Sequence, residues 1–267
     1  MNIPNTLDVL EGRSRWGLER GESYSWLRGL PDACADLLLT DVPYSSGGQF
    51  RGDRMKSTDD KYTQSGSQGK RPDFAGDTRD QRGFLAWCAL WMSEALRVVR
   101  PGGLLATFID WRNLPILTDA VQAGGWVWRG VAVWDKTEGS RVNLGAFRAQ
   151  AEYIVWASQG SRGTVDAILD TYPGAPALPG VLRFPVLKSD KHHQTGKPTP
   201  LMEQLVRLAP PGGLIVEPFA GSFTTGVAAI RRGRRVIGCE ITEDYYTIGA
   251  RRAYEAVRAV PIAPKVP

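Results

Sequence analysis

The sequence predicts an α/β protein: a mostly parallel, twisted sheet with helices on both faces. Three observations carry this. Short apolar runs bounded by turn residues alternate with segments whose apolar residues recur at helical spacing. Two helix-to-strand turns, Arg100-Pro101-Gly102-Gly103 and Pro210-Pro211-Gly212-Gly213, punctuate that alternation. The chain then closes on a strand, helix, strand, helix succession of the kind a parallel sheet requires.

In chain order, residues 1–20 mix charged and apolar positions without a period and give no element. A short helical piece, Ser23 to Arg28, leads to the apolar run Ala35 to Leu39, a buried strand that opens at Asp41 into a polar loop. Residues 45–82 hold eight Lys/Arg against six Asp and few apolar side chains. A stretch of that length without periodicity reads as a solvated loop or as a mobile lid that closes over a polyanion such as DNA. Phe84 to Val99 has helical spacing, Leu104 to Ile109 reads as a strand, Leu114 to Ala123 as a helix, and Trp126 to Trp134 and Tyr153 to Ala157 as strands. The last of these are expected to pair antiparallel. Residues 158–198 lose periodicity and include Pro173, Pro176, Pro179 and Pro185, which marks an insertion or substrate-facing excursion, the target-recognition region, expected to span 137–198 with the polar stretch before it. Thr199 to Leu208 returns to helical spacing. Leu214 to Val216, Ser222 to Arg232, Val236 to Cys239 and Glu243 to Val257 follow as strand, helix, strand and helix, and the proline-rich tail from Pro261 is expected to fray.

The 267 residues, 42% of them hydrophobic, fit a single domain spanning 1–267. A net charge of +5 tilts the partner question toward polyanions without deciding it. Cys34, Cys88 and Cys239 are scattered inside apolar segments, which argues against a disulfide framework or a zinc site and for reduced core residues. His192 and His193 are the only histidines and have no carboxylate or cysteine at ligand spacing, so no metal is expected. No apolar run reaches the ~18 residues of a membrane span, and no signal core opens the chain; a cytoplasmic protein with no membrane partner is expected.

Two constellations carry chemistry. Asp41-Val42-Pro43-Tyr44 stands at the carboxyl end of a strand, where open α/β sheets bind ligands. A carboxylate and a backbone carbonyl there can accept hydrogen bonds from an exocyclic amine, and the tyrosine ring offers a face for a base. Taken alone, the stretch reads equally well as a capped turn. The second is Glu217-Pro218-Phe219-Ala220-Gly221-Ser222-Phe223-Thr224-Thr225, a strand running through a glycine turn into a helix start, where free backbone N–H groups suit a carboxylate or phosphate. Glu240 ends the next strand about 20 residues on, where an acidic residue can accept both hydroxyls of a ribose. The G-x-G-x-x-G pattern of a dinucleotide site is absent, which favours a nucleoside cofactor with a compact carboxylate tail.

In this order the two motifs resemble the S-adenosylmethionine-dependent amino-methyltransferases of DNA in their permuted, beta-class arrangement, with a D-P-P-Y motif first and D-P-F-x-G-S-G-T-T near the carboxyl end. Val133 to Lys136, Phe147 to Tyr153, His193 to Pro198 and Gly21-Glu22 resemble further segments of that family, so the likeness spans nearly the whole chain. Three positions depart from it. Val42 replaces the first proline, where the backbone carbonyl is the working group. Glu217 replaces aspartate and keeps the charge. Phe223 replaces a glycine and sets a large side chain where the backbone passes close to the cofactor.

The resemblance implies a Rossmann-like methyltransferase fold with circularly permuted motifs and S-adenosyl-L-methionine as cofactor. It implies that Asp41 and the Val42 carbonyl hold a target amine, with Pro43 setting the turn and Tyr44 stacking on a base flipped from double-stranded DNA. Phe219, Ala220 and Gly221 would lie beside the cofactor's methionine, and Ser222, Thr224 and Thr225 near its carboxylate, with Lys197 as the pairing cation. Glu217 belongs to the same turn, Glu240 would take the ribose and Glu22 the adenine edge. Aspartate at position 41 favours adenine N6 over cytosine N4. By analogy a homodimer and a partner restriction endonuclease are candidate partners. Methylation of RNA or of a protein amide, and a non-catalytic DNA-binding protein that keeps the fold, remain as rival readings.

Overall fold

The computed structural model describes residues 2–45, 78–140, 142, 144–186 and 196–259. Most of the expected lid, the histidine pair and the tail lie outside the described residues. The elements in order are α1 (Thr6–Leu10), β1 (Trp16–Arg20), α2 (Ser23–Arg28), β2 (Ala35–Thr40), α3 (Gln81–Val98), β3 (Val99–Ile109), α4 (Leu114–Ala123), β4 (Val127–Asp135), β5 (Ala151–Ser158), α5 (Val165–Thr171), β6 (Val181–Arg183), α6 (Thr199–Leu205), β7 (Leu214–Glu217), α7 (Thr224–Arg231), β8 (Arg235–Glu240) and α8 (Glu243–Ala259).

The eight strands form one sheet in the order β1-β8-β7-β2-β3-β5-β4-β6. Only β5 runs against the others, paired antiparallel to both β3 and β4. Successive side chains of a strand point to opposite faces, and β2 shows the result. Leu37 and Leu39 enter the core shared with Ile215 and the helices α6 to α8, while Leu38 enters the opposite core with Leu105, Val216 and the tryptophan-bearing helix α3. Burial on both faces is why β2 carries three consecutive leucines, Leu37 to Leu39, rather than an alternating pattern.

Within residues 1–20, given no element from sequence, Thr6–Leu10 form a helix and Trp16–Arg20 an edge strand. Asn5 caps α1 in a reciprocal box with Asp8, and β1 adds parallel to β8 with Trp16 opposite Val236 and Leu18 opposite Gly238. The excursion after residue 158 also contains order: α5 is capped by Thr164, and β6 joins the sheet beside β4. A three-residue strand is too short to show a period. The strand expected from Leu104 begins at Val99, with a register shift against β2 between Ala35 and Leu37. The helix expected from Ser222 begins at Thr224, because Phe223 is left-handed at φ 58°, ψ 42°.

Candidate active site

Parallel strands deliver their carboxyl ends to one edge of the sheet, and the acidic positions gather there. Thr40 ends β2 before Asp41, Glu217 ends β7, Glu240 ends β8, and Arg20 ends β1 just before Glu22. The reversed strand β5 contributes its amino end to the same edge, which sets Glu152 opposite Trp134 and next to Tyr153, the partner of Ile109.

Asp41 lies in a network of four charges. The Lys197 ammonium donates to both Asp41 carboxylate oxygens at 2.7 Å and lies 3.3 Å from Glu152 Oε2. Lys136 donates to Glu152 Oε1 at 3.1 Å, and the Tyr44 hydroxyl donates to Glu152 Oε2 at 3.1 Å. Lys197, only 4% exposed, faces the rings of Tyr44, Phe108 and Trp134 at 5.0, 5.1 and 5.9 Å. Burial pushes the Asp41 carboxyl up against the pull of Lys197. Burial likewise lowers Lys197, but the adjacent Asp41 and Glu152 charges outweigh it and hold the ammonium protonated above its usual range. Glu152 is held below the usual range, since Lys197 and Lys136 overcome its burial. The Tyr44 hydroxyl is pushed well up by burial and the two carboxylates, so it remains a donor.

The backbone around Asp41 is fixed from both sides. The Val42 side chain sits in the α3-side core, Pro43 is half-buried, and Asn113 at the start of α4 donates to the Tyr44 carbonyl at 2.7 Å.

At the second constellation the Glu240 carboxylate accepts from the Gly221 and Thr242 backbone N–H groups, each at 2.7 Å. Burial raises it, and those hydrogen bonds only partly oppose the rise. Glu217 is fully enclosed. Thr225 donates its hydroxyl to Glu217 Oε1, while Oε2 is buried without a hydrogen-bond partner among the described residues, and burial pushes this carboxyl well above the ordinary range. Ala220 is buried, and the half-buried Phe219 ring leans on Trp87 and Trp91 at 5.3 and 5.2 Å. The Ser222 and Thr224 hydroxyls are engaged from below by Arg252, whose guanidinium also binds the Ser222 carbonyl. Glu22 caps α2 by accepting from the Tyr24 and Ser25 N–H groups. Burial would raise it, but these bonds keep it low.

Phe223 does not lie over the strand ends. Its left-handed backbone turns the ring inward, where it is fully buried beside Trp16 and fills the space that side chains at Gly226 and Gly238 would need. The structure thus brings Lys197 onto Asp41 and gathers Glu217, Gly221 and Glu240 around the turn before α7. Sequence reasoning did not single out Glu152, Lys136, Asn113 or Arg252. Glu152 and Lys136 lie in the two segments that resemble the family, Phe147 to Tyr153 and Val133 to Lys136, and that membership was their only signal in the sequence. Among the described residues no group of three or more potential metal ligands occurs, and no helix is long and apolar enough to cross a membrane.

The family model for DNA methylase, N6/N4 type, matches residues 35–251, a span that contains both constellations. This chain belongs to that family. Two Escherichia coli (strain K12) relatives align over most of it. YubD, whose name marks it provisionally as a methylase, is 29% identical and covers 90% of this chain and 91% of its own length. The DNA adenine methyltransferase YhdJ is 24% identical, with 87% and 80% covered. Two solved structures share the fold. The PvuII DNA methyltransferase, cytosine-N4-specific, superposes with a TM-score of 0.65 at 16% identity, covering 95% of this chain and 89% of its own. The M1.HpyAVI–SAM complex gives 0.60 at 18% identity, covering 89% and 98%. The sheet with helices on both faces is therefore the Rossmann-like fold of the DNA methylases, with the Asp41 motif preceding the Glu217 motif in the chain.

Proposed function

We propose that this DNA methylase transfers a methyl group from S-adenosyl-L-methionine to the exocyclic N6 of an adenine flipped out of double-stranded DNA. The observation that carries this reading is the pairing, on one sheet edge, of Asp41 and Tyr44 with the Glu217, Gly221 and Glu240 group.

The residues present fit the cofactor. Glu217 Oε2 is a buried acceptor with no partner among the described residues, suited to an ammonium group. Each Glu240 oxygen already holds one backbone N–H and keeps a further acceptor position for a ribose hydroxyl. Phe219, backed by two tryptophans, supplies an apolar wall. Thr224 and Thr225 open a helix whose first N–H groups suit a carboxylate. When bound, the cofactor supplies the sulfonium methyl group.

The protein's task is to make the amine a nucleophile. The N6 lone pair is delocalised into the ring. Hydrogen bonds to the Asp41 carboxylate and the Val42 carbonyl draw the nitrogen toward tetrahedral geometry and aim its lone pair, while Tyr44 stacks on the base. Alignment supplies much of the rate gain, and no covalent enzyme intermediate is required. Aspartate at position 41 and the likeness to YhdJ favour adenine. The likeness of fold to the PvuII enzyme keeps cytosine N4 as the second reading. A homodimer and a partner endonuclease rest on the family resemblance, and a cytoplasmic location on the absence of an apolar span or signal core from the sequence.

Modification-sensitive sequencing of genomic DNA from cells expressing the chain reports base, atom and site together. N6-methyladenine at one sequence is expected, and N4-methylcytosine would select the second reading. Asp41→Ala should abolish labelled-methyl transfer while cofactor binding persists; an active Asp41→Ala protein sinks the assignment.

A further inference from the structure

An ammonium has three donors and no acceptor. Two of those of Lys197 reach the two oxygens of Asp41, and Glu152 Oε2 lies 3.3 Å from the same nitrogen. The oxygen atoms that a target amine needs are thus already held by a cation. That cation is walled by three aromatic rings and has a second carboxylate within reach. Glu152 is itself held in place by Lys136 and by the Tyr44 hydroxyl.

We infer that Lys197 is a positioning residue for Asp41: its ammonium holds the carboxylate until a target amine takes over those oxygens, and then shifts toward Glu152. This rests on the methyltransferase reading and deepens it. It gives Lys197 a different office from the contact with the cofactor's carboxylate that the family resemblance implies. The shift is physically cheap because the ammonium stays paired throughout, whereas stripping one partner from a buried ion pair leaves an uncompensated charge. Glu152 is therefore needed as the receiving group, and its link to Tyr44 ties the stacking ring to the same event. Among the described residues, the charged and titratable groups around Asp41 besides Lys197 are Glu152 and Tyr44, with Lys136 behind Glu152 and Glu217 acting from the end of β7.

The test uses the full chain and a duplex carrying the site found by sequencing. Lys197→Met should move the acid limb of kcat/KM upward by about one to three pH units, the effect of removing an opposite charge in contact with an aspartate. Calorimetric affinity for S-adenosyl-L-methionine should stay within about threefold. An unmoved acid limb together with a tenfold or greater loss of cofactor affinity would overturn the inference in favour of a cofactor contact. Glu152→Gln covers the case in which Lys197→Met does not fold. It should raise KM for the duplex about tenfold or more with cofactor affinity retained; an unchanged KM overturns the shift. Should the unmodified chain methylate no DNA while binding cofactor, the methyltransferase reading fails first and takes this inference with it.

Discussion

A Cβ added to Gly238 would stand 2.7 Å from Cε2 of the Phe223 ring, and one added to Gly226 would collide with the same ring. The aromatic that departs from the family motif is thus housed by glycines on α7 and β8 and belongs to the core. Phe223→Gly removes a fully buried ring but relieves a left-handed backbone. The first effect is the larger, so a net loss of about 2–4 kcal/mol is expected in urea unfolding. Gly226→Ala should cost about 1–3 kcal/mol by overpacking. If Phe223→Gly instead tightens cofactor binding tenfold at unchanged stability, the ring works at the site.

Glu217 predicts a pH dependence of stability. Its folded-state carboxyl is pushed up by burial, so between its ordinary value near 4.5 and that raised value the folded protein binds more protons than the unfolded chain. Stability contributed by the protonated form is present at low pH and lost as pH rises through this window. Glu217→Gln should flatten the curve above pH 4.5 and make the cofactor-free protein more stable than the parent near neutrality. Denaturant midpoints at several pH values check the sign, and a steeper fall in the variant would contradict it.

Under the proposed function Tyr44 combines a hydrogen bond to Glu152 with a stacking face for the base, and substitutions can separate the two. Tyr44→Phe keeps the ring and loses the hydrogen bond to Glu152, so a decrease of about threefold to tenfold in kcat/KM is expected. Tyr44→Ala loses the stacking face as well, worth about 1–3 kcal/mol per base, and should cost far more. Equal losses in labelled-methyl transfer would show that the hydroxyl, not the ring, carries the effect.

Arg252 reaches from α8 to the turn before α7, where it holds the Ser222 carbonyl and the Ser222 and Thr224 hydroxyls. Arg252→Met leaves those acceptors without their charged donor. A stability loss of about 2–4 kcal/mol is expected, with weaker cofactor binding measured by calorimetry well below the melting temperature. Full affinity in a destabilised variant would confine Arg252 to a structural role.

The sequence by itself determined the local and ordered features. Three consecutive apolar residues each, Leu37 to Leu39 and Leu214 to Val216, marked β2 and β7 because parallel strands are buried on both faces, and helical spacing marked α3 and α4. The order of the Asp41 and Glu217 motifs pointed to the permuted methylase arrangement. What it left open were features made by contacts distant in the chain. Trp16 and Leu18 become a strand only by pairing with β8, more than 200 residues away. Five residues with two apolar side chains cannot signal that alone. Glu152 enters the site because β5 runs against its neighbours, which brings its amino end to the edge where the other strands terminate. Lys197 meets Asp41 across 156 residues. Phe223, which its place in the motif sets against the cofactor, is turned into the core by its own left-handed backbone and by glycines on other elements. Motif spacing records which residues stand near a site, whereas the direction of each side chain is decided by packing, and only the tertiary structure supplies that.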